Sequence, residues 1–318
     1  MRIVFVGTSE LGIPSLFALK AAGGYAIRVI TKPDALGGRG CKVIFSPVKE
    51  AAMELDLHVE QPVDINASES LDRIRAFKPD LMVVASFWAK LSNELLSIPR
   101  LGGINIHPSL LPRFRGAAPI QHALLAGDPV TGVTIFQIRQ KMDSGEILGQ
   151  VDAPIQPDDD YLSLHDRLSD LAASLLLQVL IAMENGTAQP FPQDHASAVN
   201  APKITKEQGR IRWDADAPTI ERQVRALSLW PGAYTFYMNR SKEVRVILAS
   251  VEVIKGDESP SSLIPGEVLD CPGRLVVACG GGSLLEIHRL KREGKKEMPA
   301  AEFLRGIRLD PGSVLGAQ

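Results

Sequence analysis

Cysteine is scarce: Cys41, Cys271 and Cys279 are the only three in 318 residues, and no C-x-x-C spacing occurs. An odd, widely spaced set excludes a disulfide framework and a zinc ribbon alike. No apolar run approaches the ~20 residues needed to span a bilayer, and the chain opens on a strand pattern, Met1 to Val6, instead of a basic-then-apolar leader. Internal repeats and low-complexity tracts are also missing. The expectation is a protein of the cytoplasm with no membrane segment. What is there is ordinary for a globular chain, 45% hydrophobic and 23% charged, which excludes disorder, collagen and coiled coil. A chain of this length usually divides into two domains of about 100–200 residues. The net charge of −2 hides an asymmetry: residues 1–202 sum to −5 and residues 203–318 to +3. A basic back half is compatible with a polyanionic partner, and equally with ordinary solvated charge.

The first 155 residues alternate short apolar runs with helical stretches. Candidate strands are Arg2 to Val6, Ala26 to Thr31, Leu81 to Ala85, Gly103 to Ile106 and Val133 to Gln137. Four of the five are nearly continuous apolar runs, as in strands covered on both faces. Helical segments lie between them at Ile13 to Ala22, Pro47 to Leu55, Ser68 to Phe77 and Ala118 to Ala126, with Ser46 and Ser68 placed as N-caps. This βαβ rhythm predicts an α/β, Rossmann-like open parallel sheet whose ligand sits beyond the carboxyl ends of the strands. A long helix from Tyr161 to Asn185 closes on Gly186, and a polar, proline-containing stretch reads as a linker. Short alternating runs and the Gly280-Gly281-Gly282 turn then suggest a small antiparallel, OB-like barrel. The expected division is a first domain over 1–186, a linker over 187–203 and a second domain over 204–318.

The first strand-to-helix junction, Gly7-Thr8-Ser9-Glu10-Leu11-Gly12, lacks the middle glycine of a dinucleotide fingerprint, and no Walker lysine comes after it. It reads as a tight turn. The informative block runs from Gly103 to Pro119 (GINIHPSLLPRFRGAAP). Asn105 and His107 are two apart in an extended segment, so both side chains leave the same face at the end of a buried strand. An amide donor beside an imidazole can bind the oxygen of a reacting carbonyl and move a proton, as acyl transfer requires. The same pair also fits a strand-capping Asn and a satisfied buried His. Asp143, in Lys141-Met142-Asp143-Ser144-Gly145-Glu146, comes after the Val133 to Gln137 strand. Two parallel strands ending at one sheet edge would bring it near His107, where a carboxylate orients the ring and raises its pKa. An Asx-turn with Gly145 is the alternative.

Two basic clusters stand out. The loop from Lys32 to Lys49 carries Lys32, Arg39, Lys42 and Lys49 among three glycines, and Arg289, Lys291, Arg292, Lys295 and Lys296 come at the end of a barrel-strand pattern. Both suit phosphates, and both fit solvated surface. The other histidines show no H-x-x-H or H-E-x-x-H spacing, so no metal is expected. Trp88, Trp213 and Trp230 read as packing residues.

N-x-H, SLLP, R-x-R-G-A-A-P and M-D-S-G together resemble the signature of formyltransferases that use 10-formyltetrahydrofolate. The opening VGTSELGIPSL, the loop TKPDALGGRGCKVIFSPVKEAA and the stretch APKITKEQGRIRW are similar to the methionyl-tRNA formyltransferases within them, over nearly the whole chain. The resemblance implies a folate formyl donor, initiator methionyl-tRNA as acceptor and a role in translation initiation. It implies Asn105, His107 and Asp143 as the catalytic trio, and Ser109, Leu110, Leu111 and Pro112 as the folate-binding segment. Phe87, Trp88, Ala89 and Leu91 are expected to wall the pterin pocket. The basic loop would touch the acceptor end of tRNA and the C-terminal barrel would grip the rest. The family often has Ala at Pro108 and Trp at Phe114; neither departure touches the trio. A formyltransferase acting on a small amine, such as an amino sugar, and a folate- or RNA-binding protein without activity are the competing readings. A monomer is the default, since no self-complementary surface is evident.

Overall fold

The computed structural model describes residues 1–37, 42–239, 242–254, 263–307 and 309–316. Arg39 and Cys41, named above, lie outside the described residues, as does the side chain of Lys42. In chain order the elements are β1 (Arg2–Gly7), α1 (Ile13–Ala22), β2 (Ala26–Ile30), the short pair β3 (Ala35–Gly37) and β4 (Lys42–Ile44), α2 (Pro47–Glu54), β5 (His58–Glu60), α3 (Ser68–Phe77), β6 (Leu81–Ala85), α4 (Asn93–Ser97), β7 (Gly103–His107), β8 (Arg115–Gly116), α5 (Pro119–Ala126), β9 (Val130–Gln137), β10 (Ile147–Pro154) and α6 (Tyr161–Glu184).

Seven of these strands form one sheet in the order β10-β9-β7-β6-β1-β2-β5. The apolar runs behave as expected of strands covered on both faces: Ile3, Val4, Phe5 and Val6 of β1 and Leu81, Met82 and Val83 of β6 are fully buried. β5, β2, β1, β6 and β7 run parallel, with Gly7 beside Ala85 and Ala85 beside Ile106. The turn after β1, the loop after β6 and the segment after β7 therefore leave the sheet at a common edge.

The last two strands depart from the all-parallel expectation. β9 pairs with β7 antiparallel, His107 opposite Thr134 and Ile104 opposite Gln137, and β10 returns antiparallel to β9. Periodicity reports burial but not direction, which is set by the route of the connecting chain. A second difference is the start of α3: the N-cap position falls on Ala67, whose side chain cannot accept, and Ser68 is already helical. The turn before it is held instead by Asp64, whose Oδ1 accepts from Asn66 N and whose carbonyl accepts from Ser70 Oγ. Ser46 does cap α2, accepting from Lys49 N at 3.1 Å, and its hydroxyl also meets Thr31 Oγ1 at 2.7 Å.

The chain separates into two compact units. The first holds Met1–Pro119, Pro129–Ile155 and Leu164–Pro202; the second holds Ile120–Asp128, Gln156–Ser163 and Lys203–Gln318. After β11 (Asn200–Ala201), the second unit contributes α7 (Ala217–Ala226), β12 (Ala233–Asn239), β13 (Lys242–Ile254), β14 (Leu275–Ala278), β15 (Leu284–Arg292), β16 (Met298–Pro299) and α8 (Ala300–Gly306). Its strands are antiparallel in the order β12-β13-β15-β14, with β16 on β15. Alternate residues such as Leu285, Ile287, Leu248 and Tyr237 turn inward against Ile220 and Val224 of α7, Phe303 of α8, and Trp213. Among the described residues no helix is long and apolar enough to cross a membrane.

Candidate active site

β7 delivers the two polar residues of its buried run to the shared sheet edge. Asn105 is partly buried beside Val84 and Phe136, and His107 is buried with its ring edge-on to Phe136, centroids 6.3 Å apart. His107 Nε2 lies 2.9 Å from the Phe114 carbonyl. A carbonyl only accepts, so Nε2 carries the hydrogen. The other nitrogen, Nδ1, faces Asp143 Oδ2 at 3.9 Å, too long for a hydrogen bond but close enough for charge to be felt.

Burial holds the His107 imidazole below the usual histidine range; the Asp143 charge and the Phe114 carbonyl pull upward and are outweighed. The expected raising by Asp143 is thus present but is not the dominant influence, because the ring has lost its water. At neutral pH the ring rests neutral, with a lone pair on Nδ1. The unfolded chain therefore takes up this proton first as pH falls. Stability contributed by a neutral His107 is complete above about pH 6.5 and is lost as pH drops toward the folded-state value. Scanning calorimetry between about pH 7.5 and 5.5 should show a shallower acid loss of Tm for His107→Gln than for the parent; parallel curves would contradict the buried neutral ring.

Asp143 reaches His107 by a route the sequence did not suggest. Because β9 is antiparallel, its carboxyl end lies beside the start of β7, and the 138–146 loop carries Asp143 back to the histidine. Asp143 sits in the left-handed region, φ 48°, and its Oδ2 accepts from Gly116 N at 2.8 Å. Gly116 has φ 129°, and a Cβ there would stand 2.4 Å from the Ala201 carbonyl oxygen, so only glycine fits. Phe114, whose carbonyl meets the histidine, is also left-handed.

Three residues not singled out from the sequence support this loop. Gln193 is buried and donates from Nε2 to the carbonyls of Asp143, at 2.9 Å, and Gly145, at 2.8 Å. Arg115, also buried, donates to Gln193 Oε1 and reaches His195 Nδ1 at 2.9 Å. Gln193 and His195 come from the stretch read as a linker, where a polar residue gives no sign of burial. That stretch is bonded to the first unit: Phe191 and Ile147 exchange two backbone hydrogen bonds, and β11 pairs with β8.

The SLLP segment is tightly folded. Ser109 Oγ donates to the Arg113 carbonyl, Thr134 Oγ1 donates to the Ser109 carbonyl and accepts from Leu111 N, and Gln150 Nε2 donates to the Leu111 carbonyl. Leu111 is buried against Phe136 and Ile147, Leu110 is partly exposed, and Pro112 is joined to Leu111 by a cis bond. Ser109 is thus committed to the loop itself. After β6, Phe87 and Leu91 are partly buried on the core while Trp88 leans on Phe87, centroids 4.1 Å apart, and stays 47% exposed. Asn66 pins this loop by bonding Lys90 O and Ser92 N, leaving the Trp88 ring and Ala89 at its surface. Of the three tryptophans read as packing, only Trp213 is buried; Trp230 is 46% exposed.

The basic residues differ among themselves. Lys49 is tied to Asp34 at 2.6 Å and stacks over Phe45, whereas Lys32 is partly buried and has its carbonyl bonded to Gln61. In the second unit Arg289 pairs with Glu297, Lys291 and Arg292 are partly buried, and Lys295 and Lys296 are exposed. Cys279 is buried there, with its thiol pushed up to about 12 by burial and the Asp216 charge. Among the described residues no group of three His, Cys, Asp or Glu is placed to hold a metal ion.

A buried imidazole with a free Nδ1, an adjacent amide and a facing carboxylate at the carboxyl edge of an α/β sheet are an arrangement that can bind a carbonyl oxygen and move a proton. Residues 1–180 match the model described as formyl transferase, and residues 203–308 match its C-terminal domain; the chain belongs to the formyl transferase family. It is 42% identical over 318 residues to the methionyl-tRNA formyltransferase of Citrifermentans bemidjiense, covering 99% of this chain and 96% of that one. Among solved structures, methionyl-tRNA formyltransferase from Clostridium thermocellum aligns with a TM-score of 0.54 at 15% identity, over 80% of this chain and 94% of that one. HypX from Aquifex aeolicus in complex with tetrahydrofolic acid aligns with a TM-score of 0.62 at 21% identity, over 98% of this chain and 49% of HypX.

Proposed function

We propose that this chain transfers the formyl group of 10-formyltetrahydrofolate to the α-amino group of initiator methionyl-tRNA, acting as a cytoplasmic monomer. Full-length similarity to methionyl-tRNA formyltransferases supports the reaction, and the observation that carries the chemistry is the neutral His107 whose Nδ1 faces Asp143. The folate supplies an electrophilic formyl carbon. Phe87, Trp88 and Leu91 offer an apolar rim at the sheet edge for its ring system, and the segment from Ser109 to Pro112 frames the other side. His107 Nδ1 accepts a proton from the attacking amine, the ring gaining stability as an imidazolium from Asp143 and the Phe114 carbonyl. Asn105 donates to the formyl oxygen as negative charge grows there. The N–C bond to methionine forms, the folate N–C bond breaks, and His107 returns the proton to the departing nitrogen. The barrel of the second unit binds tRNA through Lys291, Arg292, Lys295 and Lys296.

The test is formyl transfer to methionyl-tRNA, to free methionine, to an unrelated aminoacyl-tRNA and to an amino sugar. Product with methionyl-tRNA alone is the expected result; product with the amino sugar and none with tRNA would replace this reading. Arg39→Ala with Lys42→Ala should weaken tRNA use and make log KM less steep in log salt, by about 0.7–0.9 for each phosphate that is no longer neutralised. KM for the folate should stay unchanged. An unaltered slope removes the loop from the tRNA interface.

A further inference from the structure

The residues between the two family matches, 181–202, contain a buried side chain whose donors and acceptor are all used near the site. Gln193 Oε1 accepts from Arg115 Nε at 3.1 Å and Nη2 at 2.5 Å, and its Nε2 spends both hydrogens on the Asp143 and Gly145 carbonyls. Only an amide can do this: a carboxylate has no hydrogens to give, and a hydrocarbon has neither function. Arg115 sits on the other side, and the next residue, Gly116, holds the Asp143 carboxylate by its backbone N–H. The carbonyl and the carboxylate of Asp143 are therefore fixed by two neighbouring residues of one strand, one directly and one through Gln193. Asp143 sits in the left-handed region, which a short polar side chain enters with the help of local hydrogen bonds, and these contacts hold it there. Further bonds run along the strap, with Arg115 N donating to the Val199 carbonyl and Ala118 N to that of Ala201.

We propose that Gln193 and Arg115 are positioning residues for the transfer reaction, holding the Asp143 carboxylate against His107 from a strap formed by residues 191–201. The inference rests on the reading that Asp143 acts with His107. Neither residue reaches a reacting atom; their effect passes through Asp143, so it should appear in turnover and vanish when Asp143 has nothing to contribute.

The experiment is a double-mutant cycle on the full chain, measuring kcat, both KM values and Tm for Gln193→Met, Asp143→Asn and the pair. Gln193→Met is expected to lower kcat about tenfold or more, since misplacement of a catalytic group by an ångström costs up to about a hundredfold, with both KM values within about threefold. The pair should be no slower than Asp143→Asn alone. A parent-like kcat for Gln193→Met, or losses that multiply in the pair, overturns the inference. If Asp143→Asn itself keeps the parent rate, the reading of Asp143 falls instead. Should Gln193→Met not fold, Gln193→Glu, which keeps the acceptor toward Arg115 and loses both donors, is read against the same outcomes.

Discussion

Replacing His107 with alanine is expected to lower kcat by about a hundredfold or more, the range in which a positioned proton-transfer group acts. The ring combines two features that alanine lacks. Its Nε2–H is committed to the Phe114 carbonyl, which fixes the rotation of the imidazole, and the remaining Nδ1 is the nitrogen turned to the carboxylate. Burial keeps that nitrogen unprotonated at neutral pH, so it is ready to accept when an amine attacks. Tight binding of folate should survive, because the rim proposed for the pterin, after β6, is built on a different strand. Pre-steady-state transfer and equilibrium folate binding measured on the same preparation separate the two. A variant with parent turnover would show that the amine loses its proton elsewhere.

Gly145→Ala is expected to be the most damaging single methyl group in the first unit. A Cβ at this position would lie 1.6 Å from the Gln137 carbonyl oxygen and 2.8 Å from its carbon, both backbone atoms of β9. Gln137 N is itself bonded to the Glu146 carbonyl, so the strand cannot retreat without opening the start of the β9–β10 ladder. Overpacking against fixed backbone typically costs about 1–3 kcal/mol or more, which for a chain of this size lowers Tm by several degrees. Gly145 also offers its carbonyl to Gln193, so Asp143 moves with it and kcat should fall by at least about tenfold. Gly186→Ala is the control: φ is 67° with nothing within 4 Å of a Cβ, so it carries left-handed strain alone and should leave kcat unchanged. Equal Tm and kcat for Gly145→Ala and the parent would show that the loop is not packed as described.

Much of the first sheet was legible because burial leaves a mark on sequence. The continuous apolar runs at Arg2 to Val6 and Leu81 to Ala85 are strands covered on both faces, and the polar pair Asn105 and His107 is conspicuous against the buried run that carries it. Direction left no such mark, so β9 was expected parallel and is antiparallel. β10 was missed because its burial is irregular from Ile147 to Pro154, with neither a continuous run nor strict alternation. The proximity of Asp143 to His107 was anticipated from a sheet edge the two do not share; a loop achieves it. Gln193 could not be found at all: a glutamine among prolines reads as solvated until the carbonyls it satisfies are known. Burial of Arg115 was equally hidden, since arginine is ordinarily exposed and its partners lie far along the chain.

The strap over 191–201 also dictates where this chain can be cut and rejoined. A recombinant joined to a foreign sequence directly after the long helix α6 would keep the whole seven-stranded sheet yet inherit an unrelated segment in place of Phe191, Gln193 and β11. Such a chimera would fold its sheet around a loop with two unsatisfied carbonyls. A junction placed after Pro202, where the backbone hydrogen bonds of the first unit end, keeps the strap whole.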